Sequence, residues 1–451
     1  MLILHIFINT YDPENLISAV TSSDGSIWIK IVAIVIVYIG SFAGLFFIIS
    51  GFGNIISMRK QYDRLVVENP ETAVKKVRKS IVFRGLLLFF IGYFITAVFQ
   101  PVILSPLELL LFQNFTSNVG LRFFHNLYFF EVVQCIGLAQ IFLGLIYSSC
   151  LKRNLDTKTI KKILWGIVIG IFVITPGVLL GIRIIPGFWP KPHVGFETRS
   201  FGINLGFFFL NIIGGHTQAI FPWFAMIFIG AIIALDLYKN SVTKKFRNKW
   251  LIIGSIMFVL GLVLQLAFSF IAGKLGPTAR TYFEYGFGAI FDMSAPSTSY
   301  MLLVGGGEIL AMTLLLWGVE GKRRAKKFAE NTVLIRRIGV ISLSVYSLQA
   351  LTIIPMALIL TAFGLDPLAT QANAWQSVVI IILCLMIWIP ALYHWENINF
   401  VGSPDWLFSK ILNRNRKDAL RRLNPTEVLY NVEPLGEPSI ENIDDEVTKE
   451  S

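Results

Sequence analysis

The chain has 451 residues, of which 55% are apolar and only 15% carry a formal charge, and its mean hydropathy is +0.66. A water-soluble domain needs about 25% charged residues to cover its surface, so this composition excludes a soluble globular protein. The formal net charge is +11. In so apolar a chain, excess Lys and Arg is typical of cytoplasmic loops rather than of nucleic-acid binding. We therefore expect an all-helical, multi-pass protein of the cell membrane, with the lipid bilayer and no nucleic acid among its partners.

Nine segments are apolar over the length of about 20 residues that a helix needs to cross about 30 Å of hydrocarbon. They are residues 27–50, 81–104, 127–150, 163–185, 219–238, 250–273, 298–318, 338–364 and 377–395. A shorter run, MLILHIFI, opens the chain. Because eight residues rise only about 12 Å, we expect a partial N-terminal helix whose beginning lies upstream of Met1. The fold prediction is therefore nine full spans plus this partial one.

Basic residues fall in alternate connecting segments, as expected when Lys and Arg mark the cytoplasmic side. They cluster at residues 59–79, 152–162, 244–249, 322–337 and 410–417. The segments between them have few basic residues and are predicted to lie outside. This pattern places the C-terminus in the cytoplasm. We expect residues 1–410 to form the transmembrane domain and residues 411–451 a charged, largely disordered tail, since nine acidic residues lie from Asp418 onward.

Few residues in the apolar segments can carry chemistry. Glu131 and Gln134 have the spacing of one helix face, and Glu308 follows three glycines that equally indicate close helix packing. Asp236 lies near a cytoplasmic helix end, where a snorkelled side chain or a partner in the N-terminal loop is the simpler interpretation. Cys135, Cys150 and Cys384 have neither metal-ligand nor disulfide spacing, so packing roles are expected. No P-loop, GxSxG, HExxH or CxxC motif is present in the sequence, and we expect no metal.

Five histidines offer an imidazole that can accept a proton near neutral pH. His5, His125 and His216 fall near predicted outer helix ends. His193 lies in an outer loop and His394 at the inner end of the last span. A lone histidine is more often an interfacial hydrogen-bonding residue, so each position has a structural alternative.

Several segments in the same order are similar to those of a known family. They are MLILHIFINTYDP, LFFIISGFG, FRGLLLFFIGY, EVVQCIGLAQIF, IFPWFAMIFIGAIIA and RRIGVISLSVYSLQALTIIP. Together they resemble the heparan-alpha-glucosaminide N-acetyltransferase-like membrane acyltransferases and their uncharacterised microbial relatives. The resemblance extends to about Phe408.

The resemblance implies transfer of an acyl group, often acetyl, from cytoplasmic acyl-CoA to an amine or hydroxyl of a sugar-containing acceptor outside. It implicates His5 as the base or acyl acceptor. Glu131 would orient and stabilise such an imidazole, and Arg84 would meet a CoA phosphate, although snorkelling at a helix end explains Arg84 equally well. The alternative is a permease or a lipid- or glycan-handling protein without covalent chemistry. The sequence leaves a homo-oligomer open.

Overall fold

The computed structural model describes residues 43–67, 69–104, 126–186, 188, 200–288, 295–365, 372, 374–412 and 424–430, together with Ile6 and Ile27. These residues form helices joined by short turns, with no strand within the described ranges. The longer helices are α1 (Ala43–Leu65), α2 (Pro70–Tyr93), α3 (Val132–Lys152), α4 (Thr157–Arg183), α5 (Phe201–Leu210), α6 (Ile220–Leu237), α7 (Lys244–Ala272), α8 (Pro277–Phe287) and α9 (Thr298–Leu316). The C-terminal helices are α10 (Ala325–Asn331), α11 (Val333–Val340), α12 (Ser342–Leu348), α13 (Ile353–Ala362), α14 (Ala374–Asn397) and α15 (Pro404–Leu412).

Seven of the described helices are long and apolar enough to cross a membrane, which confirms the predicted class of fold. They are α2, α3, α4, α6, α7, α9 and α14. The pair α12 and α13 would make an eighth span, bent by 50° at the short break between the two helices. The predicted count of nine is not confirmed, because the described part of the first predicted span begins at Ala43.

Helix α6 is the centre of the bundle. Every residue from Pro222 to Leu235 is buried, so this helix has no face left for lipid. It packs against α1, α3 and α4. The outer helices show the opposite distribution, and α7 buries only 17% of its most apolar window. The bundle is therefore layered, with a helix that is apolar all round inside and lipid-facing helices around it.

Glycines allow the closest helix contacts. In α1, a Cβ atom added to Gly51 would lie 2.0 Å from the carbonyl oxygen of Ile227 in α6, and one added to Gly230 would lie 2.0 Å from that of Ile48. Small residues let helix backbones approach in this way, and the contact is a main source of helix association in lipid. The same device joins α2 to α3 at Gly85 and Gly137, and α7 to α9 at Gly254 and Gly306.

The C-terminal helices form a second group. Helices α11 and α13 pack against α14, and the buried side chains of Ile341, Leu392 and Phe400 form a small core. A buried ion pair joins Arg337 to Glu396. Within the predicted tail, residues 424–430 lie against α11, where the Arg336 guanidinium donates hydrogen bonds to the carbonyl groups of Val428 and Leu429. This part of the tail is thus attached to the helical bundle.

Candidate site between two helix breaks

Two of the apolar segments are interrupted. The predicted span 127–150 becomes regular only at Val132, and Glu131 is the extended residue that precedes α3. The predicted span 219–238 becomes regular at Ile220 and still contains a non-helical residue, Phe221. Before it lie a π-helical turn, Asn211–Gly215, and the extended residue His216. The local cause is the sequence GGHTQAIFP, in which two glycines and a proline disfavour continuous helix.

The two breaks are joined by a hydrogen bond. The Nδ1 atom of the His216 ring lies 2.8 Å from the carbonyl oxygen of Phe130. Because a carbonyl group only accepts, Nδ1 carries the proton in this contact, and in the neutral ring Nε2 is then the unprotonated nitrogen. His216 is only 2% exposed, and Nε2 has no hydrogen-bond partner among the residues that the structure describes. The arrangement fixes one tautomer of a buried imidazole and leaves its basic nitrogen unengaged by those residues.

Glu131, the residue after Phe130, is also held in place. Its carboxylate accepts a hydrogen bond of 2.5 Å from the hydroxyl group of Tyr346 in α12. This distance is at the short end of the range for hydrogen bonds between a hydroxyl group and an oxygen acceptor. The bond also ties the break before α3 to the C-terminal group of helices. Glu131 therefore has a defined position next to the residue that fixes His216.

Further polar side chains surround the two breaks. Gln134, fully buried one turn along α3, donates to the Thr96 hydroxyl group at 3.0 Å. Asn126 donates to the Thr96 carbonyl group at 2.8 Å. The side chain of Asn211 is fully buried, and both its amide atoms lack a hydrogen-bond partner within the described ranges. We refer to these residues as the helix-break site: Thr96, Asn126, Glu131, Gln134, Asn211, His216 and Tyr346.

A charged cleft lies at the opposite end of α6. Asp236 binds Lys161 at 2.7 Å and also pairs with Lys249. Its partners therefore lie in α4 and α7 and not in the N-terminal loop. Asp63 pairs with Lys239 at 2.7 Å. Two adjoining cavities of about 500 and 400 Å³ open here. We call this region the basic cleft; it is lined by Arg59, Lys60, Asp63, Arg64, Thr157, Lys161, Leu235, Asp236, Tyr238, Lys239 and Asn240.

The cleft favours anions. Five of its lining residues are cationic and two are carboxylates. Tyr238 donates a hydrogen bond of 3.0 Å to Asp63. Desolvation, together with this bond to a carboxylate, raises the pKa of Tyr238 to about 12, so the phenol remains a neutral donor. The cleft thus keeps an excess of positive charge at neutral pH.

Of the three predicted site residues, the structure describes Arg84 and Glu131. Arg84 is half-buried on α2 and donates to the Ser57 hydroxyl group at 3.0 Å. Its neighbour Gly85 contacts Gly137, which lies six residues, or about 9 Å, along α3 from Glu131. Arg84 and Glu131 are therefore not brought together. His5, His125 and His193 lie outside the described residues, and His394 is on α14.

Sequence reasoning did not identify Tyr346 or Asn211 as site residues. Tyr346 is 215 positions from its partner Glu131, so no local pattern connects the two. For His216, the glycines before it and the proline after it were a usable signal of a break. The three cysteines are buried and unpaired, in line with the packing roles predicted for them.

Comparisons with protein-family models, with curated proteins and with solved structures found no match. No group of three or more potential metal ligands occurs in the part of the chain that the structure describes. A function must therefore be inferred from the geometry of the helix-break site and the basic cleft.

Proposed function

We propose that the protein is a membrane-bound acyltransferase of the cell membrane, with its C-terminus in the cytoplasm. It would move an acyl group, in the simplest case acetyl, from cytoplasmic acyl-CoA to an amine or hydroxyl group of a sugar-containing acceptor outside. The observation that carries this proposal is the His216 imidazole, whose Nδ1–H bond to the Phe130 carbonyl oxygen leaves Nε2 as a base. A neutral imidazole with a fixed tautomer is the general base that acyl transfer to an amine or hydroxyl requires.

The proposed reaction needs only the two substrates and one imidazole, which takes up a proton and later returns it. Nε2 takes the proton of the acceptor N–H or O–H while the acceptor atom bonds to the thioester carbonyl carbon. The tetrahedral intermediate then collapses, the C–S bond breaks, and the sulfur leaves with the proton that the imidazolium ring returns. The Phe130 carbonyl group and the neighbouring Glu131 carboxylate stabilise the transient imidazolium charge.

The basic cleft fits the other substrate. Acyl-CoA carries several phosphate charges, and the cleft offers the side chains of Lys60, Arg64 and Lys239 at its rim. Attraction of this kind acts over about 10 Å at moderate salt and brings an anionic ligand to the site. Arg84 does not line the cleft and bonds Ser57, so the predicted phosphate contact would require the ligand to extend beyond the cleft.

Two histidines compete for the role of base. The resemblance to known acyltransferases implicates His5, and the geometry favours His216. The test is transfer of radiolabelled acetyl from acetyl-CoA by protein in nanodiscs, with a lipid extract as the acceptor source. His216→Ala should lower transfer by about 100- to 10,000-fold and leave acetyl-CoA binding unchanged. His394→Ala is the matched control and should transfer normally. If instead only His5→Ala is inactive, the base is His5.

A specific observation favours a second function, that of a permease. Two discontinuous helices that meet inside a bundle are typical of transporter binding sites, where broken helices supply backbone groups to the substrate. The meeting of the breaks before α3 and α6 is such an arrangement. Accumulation of a substrate in proteoliposomes, without acetyl transfer by folded protein, would support the permease and contradict the acyltransferase.

A further inference from the structure

A carboxyl group is buried in the middle of α9, away from both the helix-break site and the basic cleft. Glu308 is ten residues from the beginning of α9 at Thr298 and only 2% exposed. Neither of its carboxyl oxygens has a hydrogen-bond partner within the described ranges. In the same part of the chain, no lysine or arginine pairs with it. The proposed acyl transfer makes no use of this residue.

The surroundings of Glu308 provide little stabilisation for a negative charge. From α1, the backbone amides of Gly44 and Leu45 come close enough to favour a charged carboxyl group, although neither makes a hydrogen bond of standard geometry. They supply partial charges and no full positive charge. Gly305, one turn earlier in α9, packs on Met226 of α6 and Met257 of α7. Tyr300, eight residues earlier in α9, is the titratable neighbour of Glu308 among the described residues. Its phenol group carries no positive charge.

An unpaired carboxylate in such a place is unfavourable. Moving an ionised carboxyl group from water into an apolar interior costs far more than taking up a proton, so a group of this kind becomes neutral instead. Ionisable residues within membrane helices are for this reason rare, and those present commonly take part in proton or ion movement. We propose that Glu308 is a membrane-embedded proton-binding site, which holds a proton at neutral pH between α1 and α9.

The contact with α1 gives the site a means of control. A Cβ atom on Gly44 would lie 2.2 Å from Oε2 of Glu308, so this glycine is what allows the carboxyl group to rest against α1. Loss of the proton would leave a charge that requires water or a cation, and neither fits unless α1 and α9 separate. Proton occupancy is therefore linked to the spacing of these two helices. This inference is independent of the acyltransferase proposal.

The test uses dicyclohexylcarbodiimide, an apolar reagent that modifies protonated carboxyl groups within membranes. Solvent-exposed glutamates are ionised at pH 7 and react little. Full-length protein in nanodiscs is treated at pH 7, digested, and mapped by mass spectrometry. We expect dicyclohexylcarbodiimide to form an adduct on the peptide that contains Glu308. A water-soluble carbodiimide should give at least tenfold less of this adduct. In Glu308→Gln, residue 308 should carry no adduct.

Glu320→Gln is the matched control, because this residue lies at the end of the same helical segment and is partly exposed. It should keep the adduct on Glu308. The wild-type map decides the question even if Glu308→Gln fails to fold. An unmodified Glu308 in wild-type protein, under conditions that modify a known membrane carboxyl group, would overturn the proposal. So would equal modification by the apolar and the water-soluble reagent.

Discussion

Replacing Gly51 by alanine should separate the central helix from α1. The new methyl group would lie 2.0 Å from the Ile227 carbonyl oxygen, whereas carbon and oxygen atoms in close helix contacts are about 3.3 Å apart. The helices must therefore move apart by roughly 1.3 Å at this point. The atom in the way belongs to the backbone of the most buried helix, so no side-chain rotation relieves the clash. Overpacking of this kind costs about 1–3 kcal/mol.

Gly53→Ala provides the control, because Gly53 is two residues further along α1 and a Cβ atom there would have nothing within 4 Å. In a helix, alanine at such a position is favoured over glycine by roughly 0.5–1 kcal/mol. The two variants should therefore differ by about 1.5–4 kcal/mol. Thermal unfolding in detergent, followed by tryptophan fluorescence, should give a lower midpoint for Gly51→Ala than for wild type and for Gly53→Ala. Equal midpoints for the two variants would refute the close approach of α1 and α6.

Three further predictions concern the sites. Tyr346→Phe removes the hydrogen bond to the Glu131 carboxylate and should slow acetyl transfer about tenfold or more at unchanged acetyl-CoA affinity; an unchanged rate would exclude Glu131 from the reaction. Lys60→Gln combined with Lys239→Gln should weaken acetyl-CoA binding in calorimetry, as should added salt, while Lys410→Gln should not. Burial raises the pKa of Asp405 in spite of hydrogen bonds from Ser344, so the folded protein binds this proton more tightly than the unfolded chain does. Stability should therefore be lost as the pH rises from about 4 through the raised pKa, and Asp405→Asn should flatten that part of the stability profile.

The general architecture was predictable because it depends on composition and length. Runs of about 20 apolar residues are enough to identify a membrane helix, and the three glycines before Glu308 correctly indicated close packing, since Gly306 lies against the backbone of Phe258. The length of an apolar run and a row of glycines are local features of the sequence.

The helix-break site was only partly predictable because it depends on contacts between distant segments. Residues 127–150 are apolar enough on average to read as one membrane helix, so the pattern did not show that α3 begins after Glu131. The break is stabilised by the contact of Phe130 with His216, 86 positions away. Glu131 was identified as a candidate from its charge within an apolar segment, its spacing from Gln134 and the family resemblance. Its partner and its neighbours could be recognised only once the helices were assembled.

His216 is proposed to be a neutral base whose Nδ1 carries the proton. Nitrogen-15 NMR of histidine-labelled protein in nanodiscs tests this proposal directly, with His216→Ala to assign the resonances. At neutral pH we predict that the His216 ring shows a protonated Nδ1 and an unprotonated Nε2. A ring protonated on Nε2, or on both nitrogens, would contradict the proposed role of His216 as the base.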